Sequence, residues 1–170
     1  MVAIERLATL AVILLASLPT SLLATACSGP TPSPAVPTPA GPFAVSLSTT
    51  ASRHADGGWQ IEITLSNDSD ETIYLPICGP WQIVNSDDLQ IVRAFLCEVD
   101  YLGYRIEAQA TFVDDMQLEL EPGTYRIQTT LWGDCNLGEP QVISPRETNY
   151  GPFNKCATQQ ALLSAPFELK

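Results

Sequence analysis

From Phe43 onward, apolar side chains recur at every second position, and this period of two restricts the fold more than any other feature. Phe43, Val45 and Leu47 alternate with small or polar residues, and Trp59, Ile61, Ile63 and Leu65 alternate with Gln60, Glu62 and Thr64. Ile73, Leu75 and Ile77 resume the pattern after the turn-rich stretch Asn67-Asp68-Ser69-Asp70-Glu71. Successive side chains of a strand point to opposite faces, so each run buries one face and wets the other. The run Tyr104, Ile106, Ala108, Ala110, Phe112 predicts one further strand, and Asp114-Asp115 a turn after it. Met116, Leu118 and Leu120, then Tyr125, Ile127, Thr129 and Leu131, then Phe167 and Leu169, predict three more. Residues 89–96 are apolar enough for a strand covered on both faces, and residues 157–164 have room for a short helical turn at most. About seven to nine short strands with no sustained helical period predict an all-β fold, an antiparallel β-sandwich.

Three stretches resemble immunoglobulin-like bacterial domains. Leu118-Glu119-Leu120-Glu121-Pro122-Gly123-Thr124-Tyr125-Arg126-Ile127 is similar to their Pro-Gly-x-Tyr-x-aliphatic turn and strand. The resemblance implies a tyrosine near the start of the penultimate strand whose hydroxyl ties back to an upstream backbone group. Residues 63–75 resemble the hairpin built on an Asn-x-Ser turn, and residues 164–169 the closing strand of such domains. By layout the match covers most of residues 43–170. It implies a fold and carries no functional residues, because one fold hosts many functions.

The N-terminal part has a different logic. Residues 7–18 are an apolar run behind a short head carrying Arg6, and small residues precede Cys27, which reads as a secretory signal over residues 1–26. Leu23-Ala24-Thr25-Ala26-Cys27 resembles the lipobox of bacterial lipoproteins, with Ala24 where that family prefers Leu. The resemblance implies cleavage before Cys27 and lipid attachment to it, so that the chain meets the membrane through its N-terminal lipid. Ala24-Thr25-Ala26 also satisfies the Ala-x-Ala rule of ordinary secretion, and an uncleaved anchor is the third possibility. Residues 27–42 complete the N-terminal region as lipid site and linker, and six of the chain's 14 prolines fall within residues 28–42. Proline lacks the backbone N–H and fixes φ, so this stretch is expected to run as an extended spacer with a reach of about 45 Å.

Five cysteines are an odd number. Setting Cys27 aside as lipid carrier leaves Cys78, Cys97, Cys135 and Cys156, an even set suited to an oxidising, extracytoplasmic compartment. Four cysteines allow three pairings; the simplest is Cys78–Cys97 and Cys135–Cys156, two local loops each worth roughly 3 kcal/mol by loop entropy. The closely spaced pairs of zinc knuckles are absent, so no metal or other cofactor is expected.

A net charge of −11, with only seven basic side chains beyond the signal and none clustered, excludes nucleic acid as an expected partner. Catalytic motifs are equally scarce. His54, the only histidine, lies in a polar turn with no nucleophile elbow anywhere in the chain. Asp87-Asp88 and Asp114-Asp115 are carboxylate pairs read as turn residues rather than as acid/base machinery or Ca²⁺ ligands. The chain is therefore expected not to be an enzyme.

The one irregular stretch is residues 133–160, longer than ordinary loops and carrying Pro140, Pro145, Pro152, Tyr150, Phe153 and two cysteines. Trp132 at its start and Trp81 after Cys78-Gly79-Pro80 complete the candidate binding surface: Trp81, Trp132, Tyr150 and Phe153. Tyrosine, glycine and asparagine on a braced loop supply rigid aromatic area with adaptable hydrogen bonds. The competing expectation is that these aromatics fold back as a satellite core. The expected role is a lipid-anchored binding or structural module for an unidentified protein, peptide or glycan. A protease inhibitor is the first alternative and a carboxylate-based hydrolase the second.

Overall fold

The computed structural model describes residues 41–94, 100–145 and 147–170. The signal, Cys27 and nearly all of the proline-rich stretch lie outside the described residues, as does Cys97. Thirteen strands are present among the described residues, more than the seven to nine expected. They are β1 (Val45–Arg53), β2 (Trp59–Asn67), β3 (Ile73–Pro76), β4 (Gln82–Asn85), β5 (Ile91–Ala94), β6 (Tyr101–Ile106) and β7 (Thr111–Leu118). After these come β8 (Gly123–Cys135), β9 (Gln141–Ser144), β10 (Glu147–Asn149), β11 (Gly151–Pro152), β12 (Cys156–Leu163) and β13 (Phe167–Leu169). The excess arises because several of them are pieces of longer, interrupted strands. The all-β, antiparallel character is as the period of two predicts.

β1, β2 and β7 form a three-stranded antiparallel sheet with β2 in the centre. β1 and β2 pair without interruption from Val45↔Asn67 to Arg53↔Trp59. On β2 the buried side chains are Trp59, Ile61, Ile63, Leu65 and Asn67, each second residue. Asn67 is the polar member, and its amide makes the corner. It donates to the carbonyls of Glu71 at 2.8 Å and Glu107 at 2.9 Å, and it accepts the Ser69 N–H at 3.2 Å. A buried amide satisfied in this way costs little and fixes the turn its Asn-x-Ser sequence encodes.

The larger sheet is organised by β8, which is flanked on both sides by interrupted strands. On one side β3 meets β8 at Tyr74↔Trp132 and β4 meets it again at Gln82↔Gln128. Eight residues on one strand thus span four on the other, and the surplus is ejected around Gly79, whose φ of 59° leaves the extended region, and Pro80, which has no N–H for a ladder. The Thr129 hydroxyl donates to the Pro80 carbonyl at 2.5 Å, so the break leaves no orphaned acceptor there. On the other side β12 and β13 are separated by a single extra residue, between Leu163↔Gln128 and Phe167↔Tyr125. At that bulge Ser164 replaces backbone with side chain: its hydroxyl accepts the Ile127 N–H at 2.9 Å while its own N–H donates to the Ile127 carbonyl at 2.8 Å. The next line on the β3/β4 side consists of β6 beside β3 and β5 beside β4, with β11 beyond β6.

Between the sheets lie Ile61, Ile63, Leu65, Ile73, Leu75, Ile83, Ile127 and Leu131, all fully buried. Full burial of such a side chain is worth about 1.5–3 kcal/mol each, which makes this layer the main source of stability. Tyr125, at the start of β8, donates its hydroxyl to the Glu121 carbonyl at 2.9 Å, tying the strand to the turn before it.

Five expectations require correction. Residues 63–75 are not a hairpin: β2 pairs with β1 and β7, β3 with β6 and β8, and the Asn67 corner carries the chain from one sheet to the other. The run from Tyr104 to Phe112 is not one strand. Gln109 takes a φ of 59°, and the chain turns there from β6 in the larger sheet to β7 in the smaller one. Asp114 and Asp115 do not form a turn but sit within β7, facing opposite sides. Residues 157–163 are strand β12 rather than a helical turn. Within residues 89–96, β5 is an exposed edge strand rather than one covered on both faces.

Candidate functional site

The stretch read as a loop over residues 133–160 is narrower than expected, because Gly133–Cys135 still belong to β8 and β12 begins at Cys156. The true excursion is residues 136–155. Its two ends are held together by the Cys135–Cys156 disulfide, which joins residues directly opposite each other on β8 and β12. One further backbone bond, Asn136 N–H to the Lys155 carbonyl at 2.9 Å, extends the ladder past the bridge. Beyond it the chain makes the β9–β10 hairpin and then returns along the outer edge of β6.

That return is a strand addition. Gly151 and Pro152, forming β11, lie opposite Leu102 and Tyr101, and the N–H groups of Tyr150 and Phe153 donate to the carbonyls of Leu102 and Asp100. Gly151 has a φ of 127°, which a residue with Cβ adopts only under strain, and its N–H is held by the Asn149 carboxamide at 2.8 Å. A single turn of 3₁₀ helix, Phe153–Lys155, then carries the chain back to Cys156.

The aromatic residues chosen as a binding surface are largely consumed by this docking. Phe153 stacks on Trp132 with centroids 4.9 Å apart and planes 14° apart, and Tyr150 packs on Tyr74 at 5.7 Å. All three candidates here, Trp132, Tyr150 and Phe153, are half-buried. A shallow depression of about 370 Å³ remains beside Trp132 and Phe153, with Asp100 and Asn154 on its wall. The buried Trp132 indole N–H has no acceptor among the described residues.

Trp81 does not belong to the surface at all. It is 2% exposed, donates its indole N–H to the Asp114 carboxylate at 2.7 Å and stacks near Phe112. Its place in the β3/β4 break drives it between the sheets, where the carboxylate of the other sheet receives its N–H. This also explains why Asp114 can occupy an inward-facing strand position, while its neighbour Asp115 accepts from Gln60 on the outer face.

Other sequence candidates are scattered. Asp87 and Asp88 lie in the β4–β5 turn, apart from the pair on β7. His54 caps the β1–β2 hairpin beside Asp56 at 3.3 Å and contacts the Gln117 amide. No group of three or more metal-ligating side chains occurs among the described residues. Cys97 lies outside them, and with it the expected Cys78–Cys97 bond.

Two features escaped the sequence reading. Val142 and Ile143 on β9 are 76% and 59% exposed, the most open large apolar side chains of the excursion. At the opposite end of the sandwich, a groove of about 600 Å³ collects Asp56, Glu119 and Glu121 beside Trp59, Tyr125 and Val92. The groove was hidden because its walls come from three separate turns and strands.

No family model and no curated protein matches the chain. Among solved structures, the crystal structure of an ApaA protein from Bordetella pertussis is similar, at 16% identity and a TM-score of 0.44, over 77% of this chain and 96% of that one.

Proposed function

We propose that this chain is a lipid-anchored, extracytoplasmic, non-catalytic binding module on an immunoglobulin-like sandwich, meeting its partner through the β9 side of the braced excursion. The observation that carries the reading is the exposed Val142–Ile143 pair on a hairpin within the excursion whose two ends the Cys135–Cys156 bond joins. Apolar side chains presented on a constrained hairpin gain from burial against a partner while losing little conformational entropy. The immunoglobulin-like reading is supported by the tie of Tyr125 to Glu121 and by the long central strand β8. A second bond, Cys78–Cys97, is part of the proposal. The even set of four cysteines and the short loop that this pairing closes support it. Disulfides support an oxidising compartment, and the sequence around Cys27 supports the lipid.

The test places a photo-crosslinking residue at position 142 of the full chain in its host, with position 62 on the outer face of the small sheet as control. A discrete adduct at 142 and none at 62 is expected; equal adducts, or none at 142, would overturn the reading. Labelling with a radioactive fatty acid, abolished by Cys27→Ser, tests the anchor. A protease inhibitor is the second reading, because a disulfide-based exposed hairpin is also suited to occupy a protease cleft. It predicts stoichiometric loss of protease activity that disappears in V142D/I143D.

A further inference from the structure

We propose that the free edge of β5 is a strand-addition site for an extended, basic peptide segment of a partner protein. β5 is the last strand of its sheet: it pairs with β4, and among the described residues no strand pairs with its other side. An unpaired edge presents N–H and C=O groups that template another chain, and proteins normally blunt such edges with charge, proline or short length. Here the strand is short, carries Arg93 and has Val92 as an extra residue between Ile83↔Arg93 and Val84↔Ile91, yet the exposed side chains at and before it are Leu89 at 48%, Ile91 at 57% and Val92 at 45%. Edge and apolar surface together meet the two requirements of peptide capture by strand addition, backbone bonds for affinity and side-chain contacts for choice.

The choice of occupant follows from charge. The groove that runs from Val92 across to the β1–β2 and β7–β8 turns is lined by three carboxylates, Asp56, Glu119 and Glu121, against one cation, Arg93, so its charge is negative on balance. Asp56 and both glutamates are exposed, and the Glu121 backbone carbonyl is already committed to Tyr125, so the wall holds its shape without the side chains. A peptide strand laid on β5 directs alternate side chains into this groove, where Lys or Arg finds the carboxylates. Its apolar residues, on the opposite face, meet Ile91. A second copy of the chain could pair antiparallel with the same edge, but it would bring two such acidic rims together in a chain of net charge −11. Like charges across an interface oppose association, which favours a basic partner over self-pairing.

The experiment titrates the full chain in detergent into a fluorescent peptide of alternating Lys and Val and reads anisotropy, with amide hydrogen exchange locating the site. Three peptides are compared: the basic one, its Glu/Val counterpart, and the basic one N-methylated at alternate backbone nitrogens. Saturable binding of the first is expected, with new exchange protection in residues 91–94. The N-methylated form should bind more than about ten-fold more weakly, because it cannot complete the ladder. E119Q/E121Q, at two exposed positions, should weaken the basic peptide about five-fold and leave folding intact. Equal binding of the Glu/Val peptide, equal binding of the N-methylated one, protection confined to other strands, or no binding would each overturn the proposal. Concentration-dependent dimerisation in place of peptide binding would overturn it in favour of self-pairing. Full peptide binding by V142S/I143S keeps this result separate from the fate of the hairpin reading.

Discussion

β6 and β5 lie end to end along the same side of the larger sheet, β6 beside β3 and β5 beside β4, yet the chain treats them in opposite ways. Along β6 the excursion of residues 136–155 returns as β11, supplies backbone partners at Leu102 and Asp100, and lays Tyr150 and Phe153 over Tyr74 and Trp132. Along β5 nothing among the described residues is laid, and Ile91 and Val92 face solvent. The difference teaches that the longest irregular segment of the sequence is first a structural cover. The edge without a cover is the part of the sheet still able to accept another chain.

The largest effect is expected from releasing the cover at its base. Replacing Cys135 and Cys156 by serine should cost about 3 kcal/mol in denaturant unfolding, from the loop entropy regained by the unfolded chain. Amide exchange should accelerate in residues 101–106 and remain as it was in residues 91–94. An equal response of both strands would show that β5 is protected by something the comparison omits. Trp132→Ala removes the stacking partner of Phe153 and should cost about 2 kcal/mol, with the same asymmetry in exchange.

How far such a contrast can be read in sequence depends on whether it is local. The alternation in residues 59–67 and the Pro122-Gly123-Thr124-Tyr125 turn are local, and the structure has β2, the β7–β8 turn and the Tyr125 hydroxyl bond where they were expected. Which strand forms an edge depends on pairing between distant residues, so the apolar composition of residues 89–96 predicted burial where β5 is exposed. Asp114 was misread for a related reason: its inward position is tolerated because Trp81, far away in the chain, brings an N–H to it. Trp81 itself, Trp132, Tyr150 and Phe153 were grouped by residue type. Sequence alone could not separate an aromatic that packs on its own chain from one that waits for a partner. The signal that was available and unused is the adjacent pair Val142-Ile143 between Pro140 and Pro145, since two neighbouring strand residues point to opposite faces and a thin hairpin can bury only one.

Smaller effects are expected at single positions on the two edges. Gly151→Ala forces a side chain onto a φ of 127° and brings its Cβ against Leu137. A loss on the order of 1 kcal/mol is expected, with the cover loosened at β11. Ile91→Thr and Val92→Thr touch the bare edge and should each stay within about 0.5 kcal/mol of the parent in thermal unfolding. A loss well above that would mean these side chains are packed, and the edge not bare.

The position of Phe43 has a mechanical consequence. Its ring covers Gly133 and its backbone N–H is held by the Gln160 carboxamide at 2.8 Å, so the chain enters the sandwich at the end that carries the Cys135–Cys156 bond. The acidic groove and the C-terminus lie at the other end, where Arg53 reaches the Lys170 carbonyl. Tension between the proposed tether and a partner held at that far groove would draw β1 along its own axis. Its nine register positions with β2, from Val45↔Asn67 to Arg53↔Trp59, would then be loaded together in shear rather than opened one at a time. The disulfide stands outside that line of force, so resistance to pulling would rest on the β1–β2 ladder and survive reduction of the Cys135–Cys156 bridge.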